Sequence, residues 1–365
     1  MQRIPTLDGW RAIAILSVMM HHLGMAFYSS ESVYFAHSKT VVGAFGVDIF
    51  FGLSGLLITK LLLEEWRGSG AVSLRGFYIR RGFRILPPYL IFLVGVTIAG
   101  LWVSGREAAG ALLFFRNYVP DPAVGRWTQH LWSLAVEEHF YLLWPGLLVL
   151  VGIKRGKNVA VLLAFAIGAW RMIEPQTNLA QVLDVPSHFR TDLRLDALLW
   201  GCVAAFILDD QREREKFARQ FRSVAWVACA ILAAACMNYY SLITGMWLAV
   251  LIPLLLVGTV VHPTWAISRV LDSKIFAWVG RISYSLYLWQ QVFLWPGWMH
   301  PQHFWLRWPW NVIATFAVAT ASYFVIEKPL LRLGRKLAAR TSAPRVTLLS
   351  AEQFHQRPIR LDHLP

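Results

Sequence analysis

The sequence predicts an all-α polytopic membrane protein with about ten transmembrane helices and with both the N- and C-termini cytoplasmic. Three observations carry that reading. The 365 residues are 56% hydrophobic and only 15% charged, with mean hydropathy +0.47, far more apolar than a globular domain in water needs. Apolar runs of bilayer-crossing length recur along the chain. Basic residues gather on alternate loops between those runs, as the positive-inside rule requires.

The runs lie near 9–29, 41–63, 85–104, 130–152, 158–173, 192–208, 223–240, 243–261, 275–296 and 309–328. The first follows Arg3 but is interrupted by Arg11, His21 and His22, and no small-residue cleavage site follows. It is therefore expected to be a retained span rather than a signal peptide. The second, VVGAFGVDIFFGLSGLLIT, carries Gly43, Gly46, Gly52 and Gly55, which permit close helix packing. Before the third runs LRGFYIRRGFRILPPY, whose Pro87 and Pro88 are tolerated in a first helical turn. Residues 107–119 are apolar but too short to cross, which predicts an interfacial or re-entrant piece.

The fourth run contains WSLAVEEHF, with Glu137 and Glu138. The sixth opens as RTDLRLDALLWG, with Arg190/Arg194 and Asp192/Asp196 each at i, i+4 spacing. Cys202, Cys229 and Cys236 all lie in apolar runs, and their spacing fits neither a disulfide framework nor a metal motif. Many of the 18 Trp cluster near run ends, among them Trp102, Trp144, Trp305 and Trp308, as in an interfacial aromatic belt. Residues 1–335 read as one transmembrane domain. Residues 336–365, polar and with three prolines, read as a flexible cytoplasmic tail.

With both termini inside, most of the 35 Lys and Arg fall in cytoplasmic segments, so the net charge of +14 reads as topology. Nucleic acid is excluded as a partner, because no soluble basic domain exists to carry it.

Ionisable groups within a bilayer are costly and mark functional sites. Arg11 and His22 are eleven residues apart, so on a helix they share one face about 16 Å apart along the axis. Arg11 lies toward the cytoplasm and His22 in the outer half. Asp48, Glu137 and Glu138 reach a similar outer depth from the second and fourth runs, and Arg194 and Asp196 enter from the sixth. Structural alternatives stand beside each. His22 either serves as a base or merely hydrogen-bonds between helices. Glu137 and Glu138 are about 100° apart, so only one can face it. Asp48 either meets substrate or pairs with Arg190 or Arg194, and Arg194 and Asp196 either meet substrate or form an ion pair. Arg75, Arg80, Arg81 and Arg84 either set topology or form a phosphate site, since guanidinium forks match phosphate oxygens.

Seven strings in order, LDGWRAIAILSVMMHH, GVDIFFGLSGLLIT, FYIRRGFRILPPY, WSLAVEEHFYLLWP, RTDLRLDALLWG, GRISYSLYLWQQ and SYFVIEKPL, resemble the acyltransferase-3 family of bacterial membrane proteins, from about residue 5 to 333. The resemblance implies transfer of an acyl group, usually acetyl, from cytoplasmic acyl-CoA to a hydroxyl of a carbohydrate or glycolipid at the bacterial inner membrane. Arg11 and His22 match the family's essential pair. Arg80, Arg81 and Arg84 match its basic motif thought to meet coenzyme A, and Glu137 lies in its acidic string. Many members carry His in the YLWH string where this chain has Gln290. Gln cannot exchange a proton at neutral pH, so acid/base work falls more heavily on His22, and Gln290 remains able to hydrogen-bond a sugar. Some members also carry a soluble hydrolase-like domain, which this sequence is not expected to contain.

Chemistry consistent with these residues has the inner arginines holding acetyl-CoA phosphates while its arm rises toward His22. Neutral His22 takes the acceptor's proton, and Glu137 or Glu138 orients the ring as a triad carboxylate does. No metal is expected. The competing class is a transporter or flippase, whose paths also hold buried charges, although no internal repeat is visible.

Overall fold

Each of the ten apolar stretches forms the body of a helix. The computed structural model describes residues 4–27, 33–102, 104–119, 127–238, 241–294 and 304–341. Its helices are α1 (Pro5–Phe27), α2 (Val33–Ser69), α3 (Leu74–Ile98), α4 (Gly105–Leu112), α5 (Leu131–Val151), α6 (Ile153–Ile173), α7 (Leu179–Leu183), α8 (Leu195–Asp209), α9 (Gln211–Gln220), α10 (Ser223–Asn238), α11 (Leu242–Val261), α12 (Ala266–Leu271), α13 (Lys274–Leu294), α14 (Trp310–Ser322) and α15 (Lys328–Thr341). A π-helical turn, Tyr323–Glu327, joins α14 to α15.

Six stretches of described helix are long and apolar enough to cross a membrane: Val42–Ser69, Leu74–Ile98, Leu131–Val151, Ile153–Gln176, Ile243–Val261 and Trp310–Arg340. A seventh arises if Gln211–Gln220 and Ser223–Met237, bent by 82°, are taken as one span. The chain is thus a polytopic helical membrane protein. Helices α1, α8 and α13 fall short of that measure for physical reasons. The 15 residues of α8 extend about 22 Å, less than a hydrocarbon core. Helices α1 and α13 carry polar side chains that they turn inward, toward each other. Large apolar side chains on the outside of the bundle, including Ile98, Leu150 and Val224, remain exposed, as a lipid-facing surface requires.

Small residues bring the central helices together. A Cβ at Gly55 of α2 would fall 1.8 Å from the Leu198 carbonyl oxygen of α8. One at Gly280 of α13 would fall 1.9 Å from the Asp8 carbonyl oxygen of α1. No side chain fits either crossing, so these glycines set how closely the polar faces approach. Phe51, Leu198, Ile282 and Leu286 fill the space between them and are fully buried.

The apolar piece 107–119 folds back on α3 as α4 and a 3-10 turn. Tyr89 donates its hydroxyl to the Ala111 carbonyl at 2.7 Å, and Phe114 stacks on the Tyr89 ring. Trp144 is no belt residue, since it is buried and donates to Thr59 Oγ1 at 2.9 Å, whereas Trp305 and Trp308 are exposed. Helix α15 carries the chain to Thr341, so the first six residues of the expected tail, from Lys336, are helical. Residues 342–365 lie outside the described part.

Candidate active site

Helices α1, α2, α3, α5 and α13 enclose a cavity of about 80 Å³ in the middle of the bundle. Its charged lining is Arg11, Arg81, Arg84 and Glu137, and its hydroxyl lining includes Ser54, Ser133, Tyr141 and Tyr287. The sequence builds this lining simply. Arg81 and Arg84 are one helical turn apart on α3, as are Glu137 and Tyr141 on α5.

Glu137 is held on both oxygens. Ser54 donates to Oε1 at 2.9 Å, and the Tyr141 hydroxyl lies 2.9 Å from Oε2 and 2.7 Å from Ser54 Oγ. Arg81 Nη2 stands 4.0 Å from the same carboxylate, and the guanidinium carbon lies 3.6 Å from the Tyr141 ring centroid. Arg84 is within electrostatic reach of Arg11, Arg81 and Glu327. Glu327 is brought inward by the π turn, where it accepts from Ser285 at 3.0 Å. Arg11 pairs with Asp8 at 3.3 Å. Three guanidinium groups thus share one partly enclosed space, and in a low-dielectric setting such a cluster attracts an anion.

Further along the same faces lies His22. Its Nδ1 is 2.7 Å from Oε1 of Gln290, and both side chains are buried. Gln290 follows Ser283 by two turns on α13, so it continues the face that lines the cavity. Between the two levels, Ser133 Oγ and the Tyr287 hydroxyl are 2.6 Å apart, and Tyr287 donates to the backbone carbonyl of His130.

The structure assigns the expected residues unevenly. Arg11, Arg81, Arg84 and Glu137 meet in the cavity. Glu137 does not bond His22: it lies not at the outer depth expected for it but at the level of Arg11 and Arg81, where it meets Ser54 and Tyr141, and Gln290 is the His22 partner instead. Glu138 is off the cavity, within electrostatic reach of Tyr89 and Tyr284, and its Oε1 has no hydrogen-bond partner among the described residues. Arg80 does not line the cavity: it binds Glu65 at 2.6 Å, and Glu65 also accepts from the Ser73 backbone at 3.0 Å. That knot pins the turn between α2 and α3, while Arg75 is exposed.

Asp48, Arg194 and Asp196 form buried ion pairs rather than an open substrate surface. Arg194 binds Asp48, and Asp196 binds Arg171 at 2.6 Å. Arg190 is shared by Glu174 and Asp192. Arg171, Ser54, Tyr141, Tyr287 and Glu327 went unrecognised as members of these networks. Glu327 and Arg171, ionisable residues inside the apolar runs 309–328 and 158–173, gave a visible signal. Among the described residues, no group of three or more His, Cys, Asp or Glu could hold a metal ion. Cys202, Cys229 and Cys236 are free thiols.

Fold and cavity together define a helical membrane protein with a buried, ionisable site. A family model described as an acyltransferase domain, Acyl_transf_3, matches residues 4–327, and the chain belongs to that family. It is 30% identical over 372 residues to the peptidoglycan O-acetyltransferase OatA of Listeria monocytogenes, covering 91% of this chain and 56% of that protein. It is 29% identical over 375 residues to the "Putative peptidoglycan O-acetyltransferase YrhL" of Bacillus subtilis, covering 91% and 55%. Identity to a "Putative O-acetyltransferase" of Staphylococcus aureus is 29% over 320 residues, covering 79% and 50%. The chain spans about half the length of these relatives. No solved structure matches it.

Proposed function

We propose that the protein transfers an acetyl group from cytoplasmic acetyl-CoA to a hydroxyl of a cell-envelope glycan, with peptidoglycan as the acceptor its relatives' names suggest. In this reading the chain crosses the inner membrane ten times, with both termini cytoplasmic, and membrane lipid surrounds it. One observation carries the proposal. Arg11 and His22 share a face of α1, with Arg11 in the Arg81–Arg84–Glu137 cavity and His22 held by Gln290 further along.

The parts suit the donor. A cavity of about 80 Å³ is far below the size of a site that encloses a nucleotide, but it accommodates a narrow chain. The nucleotide would rest at the cytoplasmic mouth, with Arg81, Arg84 and Arg11 drawing its phosphates and the thioester arm passing along α1 and α13. Glu137, fixed by Ser54 and Tyr141, keeps Arg81 in place. At the outer level, neutral His22 removes the proton from the acceptor hydroxyl as its oxygen attacks the thioester carbon. The carbon–sulfur bond then breaks, and the proton returns from His22 to the thiolate sulfur. General base catalysis of this kind contributes about 10²–10⁴-fold.

The test is transfer of radiolabelled acetyl from acetyl-CoA to peptidoglycan glycan strands by membranes containing the protein. Labelled glycan is expected. No labelled product, together with movement of a lipid-linked glycan across the membrane, would replace this reading with that of a flippase.

A further inference from the structure

Away from the cavity, α14 and α15 share a surface that the reaction does not use. An apolar furrow runs along α14 on the outside of the bundle, lined by Val312, Phe316, Ala317, Ala321 and Phe324. From Val312 to Phe324 it extends about 18 Å, and one leaflet of hydrocarbon is about 15 Å deep. Phe324 closes its end, and Lys328 Nζ lies 4.8 Å from the Phe324 ring centroid. Lys328 begins α15, KPLLRLGRKLAART, which contains no acid.

The cations of α15 are gathered on one side. At 100° per residue, Lys328, Arg332, Arg335, Lys336 and Arg340 fall within an arc of about 140°. Gly334 and Ala338 are buried on the opposite side, where a Cβ at Gly334 would fall 2.5 Å from Phe83 Cβ of α3. The basic stripe therefore points away from α3, the helix that carries Arg81 and Arg84 into the cavity, and does not serve the donor. Leu330, Leu333 and Leu337 run along one flank of the stripe, as in a helix seated at a membrane surface.

Depth agrees with that placement. Trp305, Trp308 and Trp310 are exposed ahead of α14, and aromatic rings gather at a membrane boundary. From Trp310 to Lys328 the chain rises about 27 Å, close to a hydrocarbon thickness of about 30 Å. Lys328 thus stands where the opposite headgroup layer begins. The positive-inside rule asks only that cations lie on that side. It does not gather them on one helix face at the end of an apolar furrow.

We propose that α14 and α15 hold an anionic phospholipid, with an acyl chain in the furrow and its phosphate on Lys328 and Arg332. Both halves of the surface select that ligand. A soluble phosphate has no chain for the furrow, and a lipid without net charge gives the cations no lasting partner. Lys328 and Arg332 are one helical turn apart, close enough to share one phosphate. The site is independent of the acyl transfer proposed above.

The experiment uses the purified full chain in detergent, with native mass spectrometry counting phosphatidylglycerol or phosphatidylcholine retained as each is titrated. Three variants are compared with wild type. Lys328→Gln with Arg332→Gln removes two cations of the site. Ala321→Trp fills the furrow and removes no charge. Arg214→Gln with Arg219→Gln removes two exposed cations of α9. None of these side chains is buried, so each variant should fold. Wild type should bind phosphatidylglycerol more tightly than phosphatidylcholine. The first variant should bind phosphatidylglycerol about 30-fold more weakly, at about fivefold per charge. Ala321→Trp should lose about 10-fold, the worth of one or two buried methylenes. The α9 variant should stay within about twofold of wild type, since its charges lie elsewhere. Equal affinity of wild type for the two lipids overturns the site. So does wild-type affinity in either site variant, or an equal loss in the α9 variant, which would reduce the effect to overall charge.

Discussion

The Arg81 guanidinium lies 3.6 Å from the ring centroid of Tyr141, so the cation that faces the cavity is held by an aromatic one helical turn beyond Glu137. Arg80, its neighbour in sequence, is instead tied to Glu65. The two arginines therefore differ in their contacts, and their substitutions should differ in effect. Arg81→Ala should raise the KM for acetyl-CoA by about 10–100-fold, the worth of one charged hydrogen bond. Arg80→Ala should leave that KM unchanged and lower stability by about 0–1 kcal/mol, as a partly exposed ion pair does. Steady-state kinetics with both variants checks this, and equal KM increases would contradict it.

The buried Asp48–Arg194 pair should act on stability. Removing one partner strands the other charge, so Asp48→Ala should cost about 3–5 kcal/mol in thermal or denaturant unfolding in detergent. Replacing both by Leu should cost less than either single change. A double variant as unstable as the sum of the singles would mean the two charges do not pair.

Packing at Gly280 should control the site from a distance. In Gly280→Ala the new methyl meets the Asp8 carbonyl oxygen, so α1 must move off α13 and take Arg11 with it. The expected loss is about 1–3 kcal/mol, with a sharp fall in transfer rate. Wild-type thermal stability and rate in this variant would show that the crossing tolerates a side chain.

Much of this was legible in the sequence, and the limits have physical causes. Periodic apolar runs reported the helices, because burial in lipid demands them. The 100° turn per residue put Arg11 and His22 on one face, whereas the depth expected for Glu137, close to that of His22, was wrong, since it lies with Arg11 and Arg81 in the cavity. Rotation about the helix axis was not readable, and it decides partners. Helix α5 turns Glu137 toward Ser54 and Tyr141, and α13 turns Gln290 toward His22. Arg80 and Arg84 looked like a pair at i, i+4, yet Arg81 and Arg84 face the cavity, because Glu65 captures Arg80. Arg171 gave no signal as the partner of Asp196, since their contact depends on how α6 meets α8. Gln290 was visible as a departure from a histidine-bearing string, but only the fold shows that it bonds His22.

The central claim is that His22 is the base at the end of a path that begins at Arg11, Arg81 and Arg84. The most direct measurement is transfer of labelled acetyl from acetyl-CoA to peptidoglycan glycan by purified His22→Ala, with donor binding measured in parallel. The predicted result is a rate lowered by about 10²–10⁴-fold with donor affinity retained. A His22→Ala protein that transfers acetyl at the wild-type rate would contradict it.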